Sequence, residues 1–270
     1  MNITRLAHVA DLHFGALDKA ALDVFTSFIQ SNNVEGIVIS GDLTQRGSHH
    51  EFEQFKAWSR EVSVPLICVP GNHDTPMYSV ARRAISPFRR YNSYTDHIPA
   101  SGTFGSFQVE GLNTARGWQF RLNWAEGSVR QGDLTELLGR YPKDSDTISV
   151  IACHHPFLSP PSSPLRIRTR RGVWASRAVA DSKVSLLLAG HVHTPTTTWR
   201  GTKEKGYLSV TSGTLSQRLR RHPPSFNLIS LYQDKIEIEA VMATEAQAGH
   251  RKILGTWPRQ GSQILPHPNR

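Results

Sequence analysis

The sequence has 270 residues, a formal net charge of +9, a hydrophobic content of 38% and a charged content of 20%. This composition is ordinary for a globular chain, and no apolar run reaches the roughly 20 residues of a membrane-spanning helix, so no such helix is expected. The basic excess indicates an anionic partner, such as nucleic acid, an anionic membrane surface or a phosphorylated substrate.

The N-terminal segment and the cysteines bear on the cellular compartment. The segment MNITRLAHVAD lacks the apolar stretch and small-residue cleavage site of a signal peptide. Cys68 and Cys153 lie in apolar runs typical of strands, which predicts buried free thiols rather than a disulfide. We therefore expect a cytoplasmic protein, either free or peripheral to the inner membrane.

The first third of the chain alternates between two kinds of hydrophobic pattern. Apolar runs that predict buried strands are followed by amphipathic stretches that predict helices, with Phe52, Phe55 and Trp58 at helical spacing in the second stretch. The predicted strands cover 5–11, 36–42 and 64–74, and the predicted helices 17–30, 49–62 and 76–91. Such alternation predicts a sheet with helices packed outside it.

The rest of the chain predicts mainly strands. A hairpin is predicted at 102–114, a helix at 129–138, buried strands at 147–156 and 184–193, and closing strands at 206–214 and 226–242. The segment 159–177 is rich in Pro, Ser and Arg and predicts a long loop over the site. We predict a single domain over 1–242 and an irregular C-terminal tail over 243–270.

The predicted core strands all end in residues of the types that bind metal ions. These are Asp11, His13, Asp42, Asn72, His73, Asp74, His154, His155, His191 and His193. Ligands of open α/β sheets bind at the carboxyl ends of the strands, so these side chains predict one metal site. Imidazole, carboxylate and amide groups without thiolate favour Mn, Fe, Zn or Co, and they are too numerous for one tetrahedral ion. Two divalent metal ions that share a bridging carboxylate fit this number better.

The order of these motifs resembles that of a known superfamily. D-x-H, G-D, G-N-H-D, H and G-H-x-H follow one another between residues 11 and 193, as in the calcineurin-like metallophosphoesterases. The stretches SGDLT, VPGNHD, HHP and AGHVH look most like the bacterial class III cyclic-nucleotide phosphodiesterase branch. The resemblance implies an α/β fold, a four-layer α/β/β/α sandwich with two mixed sheets and helices on the outside.

The resemblance also implies a role for each motif residue. Asp11, His13 and His193 would hold the first metal, Asn72, His154 and His191 the second, and Asp42 would bridge the two. A hydroxide between the metals would attack phosphorus in line. His73 would face the leaving-group oxygen as proton donor or hydrogen-bond donor, with Asp74 as its candidate orienting partner.

Candidate substrate-binding residues are less well defined. Protein phosphatases of the superfamily tend to carry Asp where GDLTQRG has Gln45, which weakens that function, while Arg46 keeps a position that can hold phosphate. His155 would lie beside the ligands or face the substrate. Arginine pairs bidentately with phosphate, which makes the two later basic runs candidates. Their members are Arg168, Arg170, Arg171, Arg218 and Arg220.

Several functions fit this site. The expected one is hydrolysis of a phosphodiester or pyrophosphate bond in a small nucleotide-like substrate, by default a cyclic nucleotide. The arginine-rich segment and high isoelectric point favour a UDP-2,3-diacylglucosamine pyrophosphatase of lipid A synthesis, with that segment on an anionic membrane surface. A nuclease fits the charge, but a basic patch interleaved with aromatic residues is missing, so nucleic acid is not the expected partner. A non-catalytic binding module is disfavoured because every metal position is filled, and the sequence carries no signal for the oligomeric state.

Overall fold

The computed structural model describes residues 3–118, 125–142, 146–163 and 166–266. Its α-helices are α1 Lys19–Ser31, α2 His49–Glu61, α3 Val80–Ile85, α4 Arg89–Tyr94, α5 Gln131–Leu138 and α6 Gly172–Ala180, and a 3₁₀ turn covers Glu245–Gln247. Its first eight strands are β1 Thr4–Val9, β2 Gly36–Ser40, β3 Leu66–Val69, β4 Ser101–Phe104, β5 Phe107–Leu112, β6 Gly127–Ser128, β7 Ile148–Cys153 and β8 Thr169–Arg170. The others are β9 Leu186–Ala189, β10 Thr196–Gly201, β11 Gly206–Thr211, β12 Ser225–Leu231, β13 Lys235–Met242, β14 Arg251–Gln260 and β15 Gln263–Ile264.

The strands form two large mixed sheets and one short pair. The seven-stranded sheet has the order β15-β14-β13-β12-β1-β2-β3, and the six-stranded sheet has the order β10-β11-β9-β7-β5-β4. Within them, β1, β2 and β3 are parallel, as are β5, β7, β9 and β11. The parallel strands of each sheet therefore deliver their carboxyl ends to one edge, and β6 pairs separately with β8.

Alternation of side chains along the strands divides the core into three layers. Ile37 and Ile39 of β2 pack with the helical residues Phe25, Phe52 and Phe55, whereas Val38 between them faces the other sheet. On β9, Leu187 packs against α5 and α6, while its neighbours Leu186 and Leu188 fill the space between the sheets. Since side chains of a strand alternate in direction, each sheet is covered on both faces. The expected four-layer α/β/β/α sandwich is confirmed.

The two long helices of the first layer begin at side-chain caps. The carboxylate of Asp18 accepts from the amide of Ala21 at 3.1 Å at the start of α1. At α2, Ser48 and Glu51 form a capping box in which each side chain accepts from the other's backbone amide. This box fixes where α2 leaves the loop that follows β2, and that loop carries Asp42.

The C-terminal segment is not the irregular tail that the sequence predicted. Residues of β14 pair antiparallel with β13 from Val241↔Arg251 to Lys235↔Pro258, with a bulge between Ile238 and Glu239. Trp257 and Ile264 enter the core between the sheets. Gly255, Pro258 and many polar residues masked the strand in the sequence, and β14 tolerates them because most of its length pairs with β13 alone. Residues 267–270 of the predicted tail lie outside the described residues.

The arginine-rich segment 159–177 is also more ordered than predicted. Its second half contains β8, which pairs with β6, and the first turns of α6, whose residues Ala175 and Val179 are buried. Residues 164 and 165 lie outside the described part of the chain. The alternation of Arg with small and apolar residues concealed a short helix that packs on the outer face of the six-stranded sheet.

Both cysteines are buried and free, as the apolar runs around them indicate. The thiol of Cys68 lies 3.1 Å from the hydroxyl of Tyr91, and burial raises its pKa to about 12. Within the described residues, no helix is long and apolar enough to cross a membrane.

Candidate metal centre

The candidate ligands lie in the loops just past the carboxyl ends of five parallel strands. Asp11, Asp42 and Asn72 follow β1, β2 and β3 of the seven-stranded sheet, whereas His154, His191 and His193 follow β7 and β9 of the other sheet. The site therefore joins the two sheets at one edge of the sandwich.

Backbone strain is concentrated at these positions. Eight non-glycine residues of the described chain have a positive φ, and five of them are candidate ligands, namely Asp11, His13, Asp42, His191 and His193. Their φ values lie between 48° and 70°, in the left-handed region that ordinary residues avoid. Each such residue costs about 1–3 kcal/mol, a cost that recurs at functional sites because the turn aims a side chain where a regular strand would not.

Backbone hydrogen bonds join the first two loops. The amide of Asp11 donates to the carbonyl of Gly41 at 3.0 Å, and the amide of His13 donates to that of Asp42 at 3.0 Å. Two glycines allow the carboxylates to approach the neighbouring backbone: a Cβ on Gly71 would collide with the carboxylate of Asp42, and one on Gly190 with Asp11. The glycines of G-N-H-D and G-H-x-H are therefore steric requirements of the site.

The first group of ligands surrounds Asp11. Its Oδ1 lies 3.2 Å from Nε2 of His193 and 3.8 Å from Nε2 of His13. Its Oδ2 accepts from the backbone amide of His191 at 2.8 Å. Asp11, His13 and His193 are all buried and offer ligand atoms within 4.8 Å of one another, so they could hold a metal ion.

The second group surrounds His154. Its Nε2 lies 3.3 Å from Oδ2 of Asp42 and 3.2 Å from Oδ1 of Asn72, and its ring lies 5.2 Å from that of His191 between centroids. Asp42 Oδ2 also lies 3.7 Å from Nε2 of His13, a member of the first group. The carboxylate of Asp42 therefore lies between the two groups.

The Nδ1 atoms of three candidate ligands are held by backbone carbonyls. His13 Nδ1 lies 3.3 Å from the carbonyl of Thr44, His154 Nδ1 2.8 Å from that of Ser40, and His193 Nδ1 2.6 Å from that of Arg218. A carbonyl can only accept, so Nδ1 carries a hydrogen and Nε2 is the nitrogen that faces the carboxylates and could bind a metal. This is how proteins orient histidine ligands of metals.

The electrostatics of the pocket favour ionised aspartates. Burial alone would raise the pKa of Asp11, but His193 outweighs it and holds the pKa at about 2. Burial lowers the pKa of His13 to about 3 and that of His191 well below its usual range, so both rings are neutral. Burial also opposes charge on His154, yet the adjacent Asp42 outweighs it and raises the pKa of His154 to about 9.

The residues present fit a divalent metal. Asp11 Oδ1 and His13 Nε2 are buried and make no hydrogen bond within the described part of the chain. Leaving such atoms without a partner costs about 1–3 kcal/mol each, which a cation would relieve. The donor set combines imidazole, carboxylate and amide oxygen, which suits Mn, Fe, Zn or Co.

Comparison with known proteins agrees with this geometry. The family model of the calcineurin-like phosphoesterases matches residues 4–195, which include every candidate ligand. The chain is a calcineurin-like phosphoesterase. The resemblance carried by the motifs is thereby confirmed, and the chain is a metal-dependent phosphoester hydrolase.

Individual relatives of this phosphoesterase are distant. It is 25% identical over 198 residues to a probable cyclic nucleotide phosphodiesterase of Synechococcus sp., covering 70% of this chain and 72% of that one. It is 22% identical over 218 residues to a probable glycerophosphodiester phosphodiesterase of Arcobacter nitrofigilis, covering 72% and 73%. The purple acid phosphatase PPD1 of yellow lupin shares the fold, with a TM-score of 0.62 and 14% identity over 94% of this chain and 53% of that one.

His73 and Arg218 lie beside the candidate ligands of this phosphoesterase. The amide of His73 donates to Oδ1 of Asp42 at 2.8 Å, and its Nδ1 lies 2.7 Å from the carbonyl of Gln45. Nη1 of Arg218 lies 2.9 Å from Nε2 of His73 and 3.4 Å from Oε1 of Gln45. A guanidinium can only donate, so Nε2 of His73 accepts and its proton is on Nδ1. In this arrangement the positive charge beside His73 belongs to Arg218.

Asp74 does not orient His73 as the sequence suggested. Its carboxylate accepts from the amides of Gly71, Leu43 and Thr44 and from the hydroxyl of Thr44, at 2.8–3.2 Å. It joins the loops after β2 and β3, and the carbonyl of Gln45 orients His73 instead. The sequence suggested Asp74 because it directly follows His73, but the buried carboxylate of Asp74 is directed at backbone amides.

His155 does not face the substrate. It is buried, with Nδ1 3.1 Å from the hydroxyl of Thr114 and Nε2 3.0 Å from the carbonyl of Ala125, and its ring lies 4.6 Å from that of His191 between centroids. Burial lowers its pKa well below the usual range. One of its ring nitrogens also lies close enough to those of His154 and His191 for the three residues to form a ligand group.

The remaining candidate arginines lie around the rim. Arg46 is exposed with its guanidinium 5.8 Å from the ring of Tyr78, and Arg168 and Arg170 are exposed as well. Arg171 donates to the carbonyl of Val129 at 3.4 Å, and Arg220 is half-buried. Within the described residues, only Arg218 of this set contacts a residue of the metal centre.

Two arginines near the site had no signal in the sequence. Arg116 donates to the carbonyl of Ser128 at 2.8 Å, and its charge contributes to the low pKa of His155. Arg83 is buried, donates to the carbonyl of Gly117 at 2.9 Å, and lies close enough to Asp42 for its pKa to respond to that carboxylate. Neither belongs to a motif, and only the tertiary fold brings them to this edge.

Proposed function

We propose that this phosphoesterase is a dinuclear phosphodiesterase that hydrolyses a phosphodiester or pyrophosphate bond of a small nucleotide-like substrate, by default a cyclic nucleotide. One observation carries the proposal. Asp42 Oδ2 lies 3.7 Å from His13 and 3.3 Å from His154, so a single carboxylate can serve both ligand groups. A shared carboxylate is the usual bridge of two-metal hydrolytic sites.

In this proposal the ligands divide as the motifs imply. Asp11, His13 and His193 would hold one ion, Asn72, His154 and His191 would hold the other, and Asp42 would contribute to both. When bound, the two ions supply Lewis acidity toward the phosphoryl oxygens and a nucleophile at neutral pH. The protein contributes ionised aspartates, imidazoles whose Nε2 atoms face the site, and backbone carbonyls that fix the ring orientations.

His73 and Arg218 act on the leaving-group side. With its proton held on Nδ1 by the carbonyl of Gln45, His73 is a fixed acceptor toward Arg218. The guanidinium then presents its remaining N–H groups to the phosphoryl and leaving oxygens. A donor aimed at charge that develops in the transition state is worth about 10²–10³-fold in rate.

The choice of substrate follows from the relatives and from the rim. Relatives named as cyclic nucleotide and glycerophosphodiester phosphodiesterases support a diester substrate. A second candidate, the UDP-2,3-diacylglucosamine pyrophosphatase, is favoured by the exposed apolar side chains of Tyr78 and Ile85, the first of them beside Arg46. We propose Mn, Fe, Zn or Co as the metal and the cytoplasm as the compartment.

The test compares substrates on the manganese-loaded enzyme. Cyclic AMP, a glycerophosphodiester and UDP-2,3-diacylglucosamine are assayed in parallel, each with the Asn72→Ala variant as control. We expect turnover of at least one that is lost in the variant, and preference for cyclic AMP supports the default substrate. Preference for the UDP-lipid selects the second candidate, and equal rates for enzyme and variant would refute the metal mechanism.

A further inference from the structure

Most of the exposed apolar side chains lie in segments that leave the sheets at the edge that carries the metal centre. Among the described residues, seven large apolar side chains are exposed, and six of them lie in segments that follow the carboxyl ends of β3, β5, β7 and β11. The six are Tyr78, Val80, Ile85, Trp118, Val173 and Leu219, and the seventh is Ile253 on β14. Single exposed apolar residues are normal, but such an uneven distribution marks an interaction surface.

Contacts join this surface, the apolar rim, to the metal centre. The guanidinium of Arg46 lies 5.8 Å from the ring of Tyr78, and the amide of Met77 donates to the carbonyl of Arg46 at 3.1 Å. Arg83 of α3 donates to the carbonyl of Gly117, next to Trp118. The loop after β2, helix α3 and the segment after β5 therefore form one continuous surface.

The same surface is strongly basic. Between Asp74 and Asp96 the chain carries Arg82, Arg83, Arg89 and Arg90 and no acidic residue. Beside α3 is a cavity of about 370 Å³, lined by His49, Pro76, Arg82, Ser86, Arg89, Arg90, Ser93 and Tyr94. Arg82 and Arg89 are exposed, so their charges are available to an anionic partner.

We propose that the apolar rim docks on the surface of an anionic lipid bilayer. Protruding apolar side chains among arginines match the interfacial region of a bilayer, where apolar groups enter below anionic headgroups. Ile85 is 85% exposed and Val80 53% exposed, and aliphatic side chains such as these favour a bilayer over single-stranded nucleic acid, whose bases stack on aromatic rings. Docking would turn the metal centre toward the headgroups. Whether the docked protein would act on a phosphodiester carried by a lipid rests on the proposed function, whereas docking itself does not.

The test is co-flotation with lipid vesicles, using the full chain and no substrate. The vesicles contain either phosphatidylcholine alone or phosphatidylcholine mixed with phosphatidylglycerol. We expect binding to the mixed vesicles only, weakened by salt. Burying an isoleucine side chain at the interface predicts that Ile85→Ser weakens partitioning about 10-fold. Arg82→Gln combined with Arg89→Gln should lower it further.

The matched controls are Ile253→Ser, which removes an isoleucine that is 58% exposed on β14, and Arg60→Gln at the far end of α2. Both should bind vesicles like the unaltered chain, and thermal melting reports whether each variant is folded. Failure to bind mixed vesicles would overturn the proposal, as would equal losses for Ile85→Ser and Ile253→Ser. Binding that depends on the arginines but not on Ile85 would also overturn it and would indicate a soluble polyanion. Because no turnover is measured, these outcomes are independent of the proposed activity.

Discussion

Individual ligands adopt backbone conformations that folding alone would not select. Asp11, Asp42 and His193 have φ between 53° and 57°, although none is glycine or asparagine. Their side chains bring carboxylates and imidazoles together at 3.2–3.8 Å, and two buried polar atoms are left without hydrogen bonds. The protein thus accepts local strain and desolvation that a bound cation compensates.

Gly71, the glycine of G-N-H-D, allows the site to be tested by adding a single methyl group. In Gly71→Ala the new Cβ meets the carboxylate and the amide of Asp42, so the candidate bridge must move. We expect metal affinity to fall about 10–100-fold, the usual effect of disturbing the groups that orient a ligand. Isothermal titration with Mn²⁺ measures this. Gly132→Ala on α5, where nothing lies within 4 Å, is the control and should bind metal normally.

Arg218 is the residue whose importance is least evident from the sequence. Arg218→Ala removes the guanidinium beside His73, and we expect kcat to fall about 10²–10³-fold. Metal binding should change little, because only the carbonyl of Arg218 contacts the ligand His193. Arg218→Lys should recover little activity, since an ammonium lacks the planar fork. Steady-state kinetics on a soluble diester checks this, and a variant with normal kcat would contradict the role.

At the level of elements, hydrophobic periodicity predicted the buried strands and the long helices well. The runs before Asp11, Asp42, Asn72, His154 and His191 are buried strands with parallel neighbours, and continuous apolar sequence is typical of such strands. It failed for β14, because only Trp257 of that strand is buried, and for α6, because a short helix needs few apolar positions. The contact between Arg218 and His73 spans 145 residues, and no local pattern encodes it.

Because β14 contributes to the core, a substitution in it should destabilise the protein, which a substitution in an irregular tail would not do. Trp257 is 8% exposed and packs in the core between the sheets. Trp257→Ala should lower the free energy of unfolding by about 3–5 kcal/mol through the cavity it leaves. Ile253 on the same strand is exposed, so Ile253→Ala should change the free energy of unfolding by about 0.5 kcal/mol at most. Urea denaturation measures both, and equal small effects would mean that the strand contributes no core.

At the level of the whole molecule, the metal centre joins the two sheets. Asp11, Asp42 and Asn72 come from one sheet and His154, His191 and His193 from the other. Elsewhere the sheets meet through apolar packing of side chains such as Val38, Val150 and Leu188 and through hydrogen bonds such as that from Ser40 to the carbonyl of Leu188. A metal that binds only the folded state stabilises it by mass action. Metal loading should therefore change the stability of the entire sandwich.

This linkage predicts a clear effect of metal removal. At a free metal concentration 100-fold above Kd, the gain is about 2.7 kcal/mol. For a domain of this size, we expect the Tm to rise about 5–10 °C over the chelated protein. Scanning calorimetry with Mn²⁺ and with EDTA measures it. The Asn72→Ala variant should show a smaller rise, and an unchanged Tm in the unaltered protein would contradict the linkage.

The central claim is that one shared carboxylate supports two metal ions and that both are needed for hydrolysis. The most direct measurement titrates metal-free protein with Mn²⁺ and records bound metal per chain and hydrolysis of bis-p-nitrophenyl phosphate in the same samples. The account predicts two ions per chain, with activity appearing as the second binds, and a loss of both the second ion and the activity in Asn72→Ala. Full activity with a single ion, or in the Asn72→Ala variant, would contradict it.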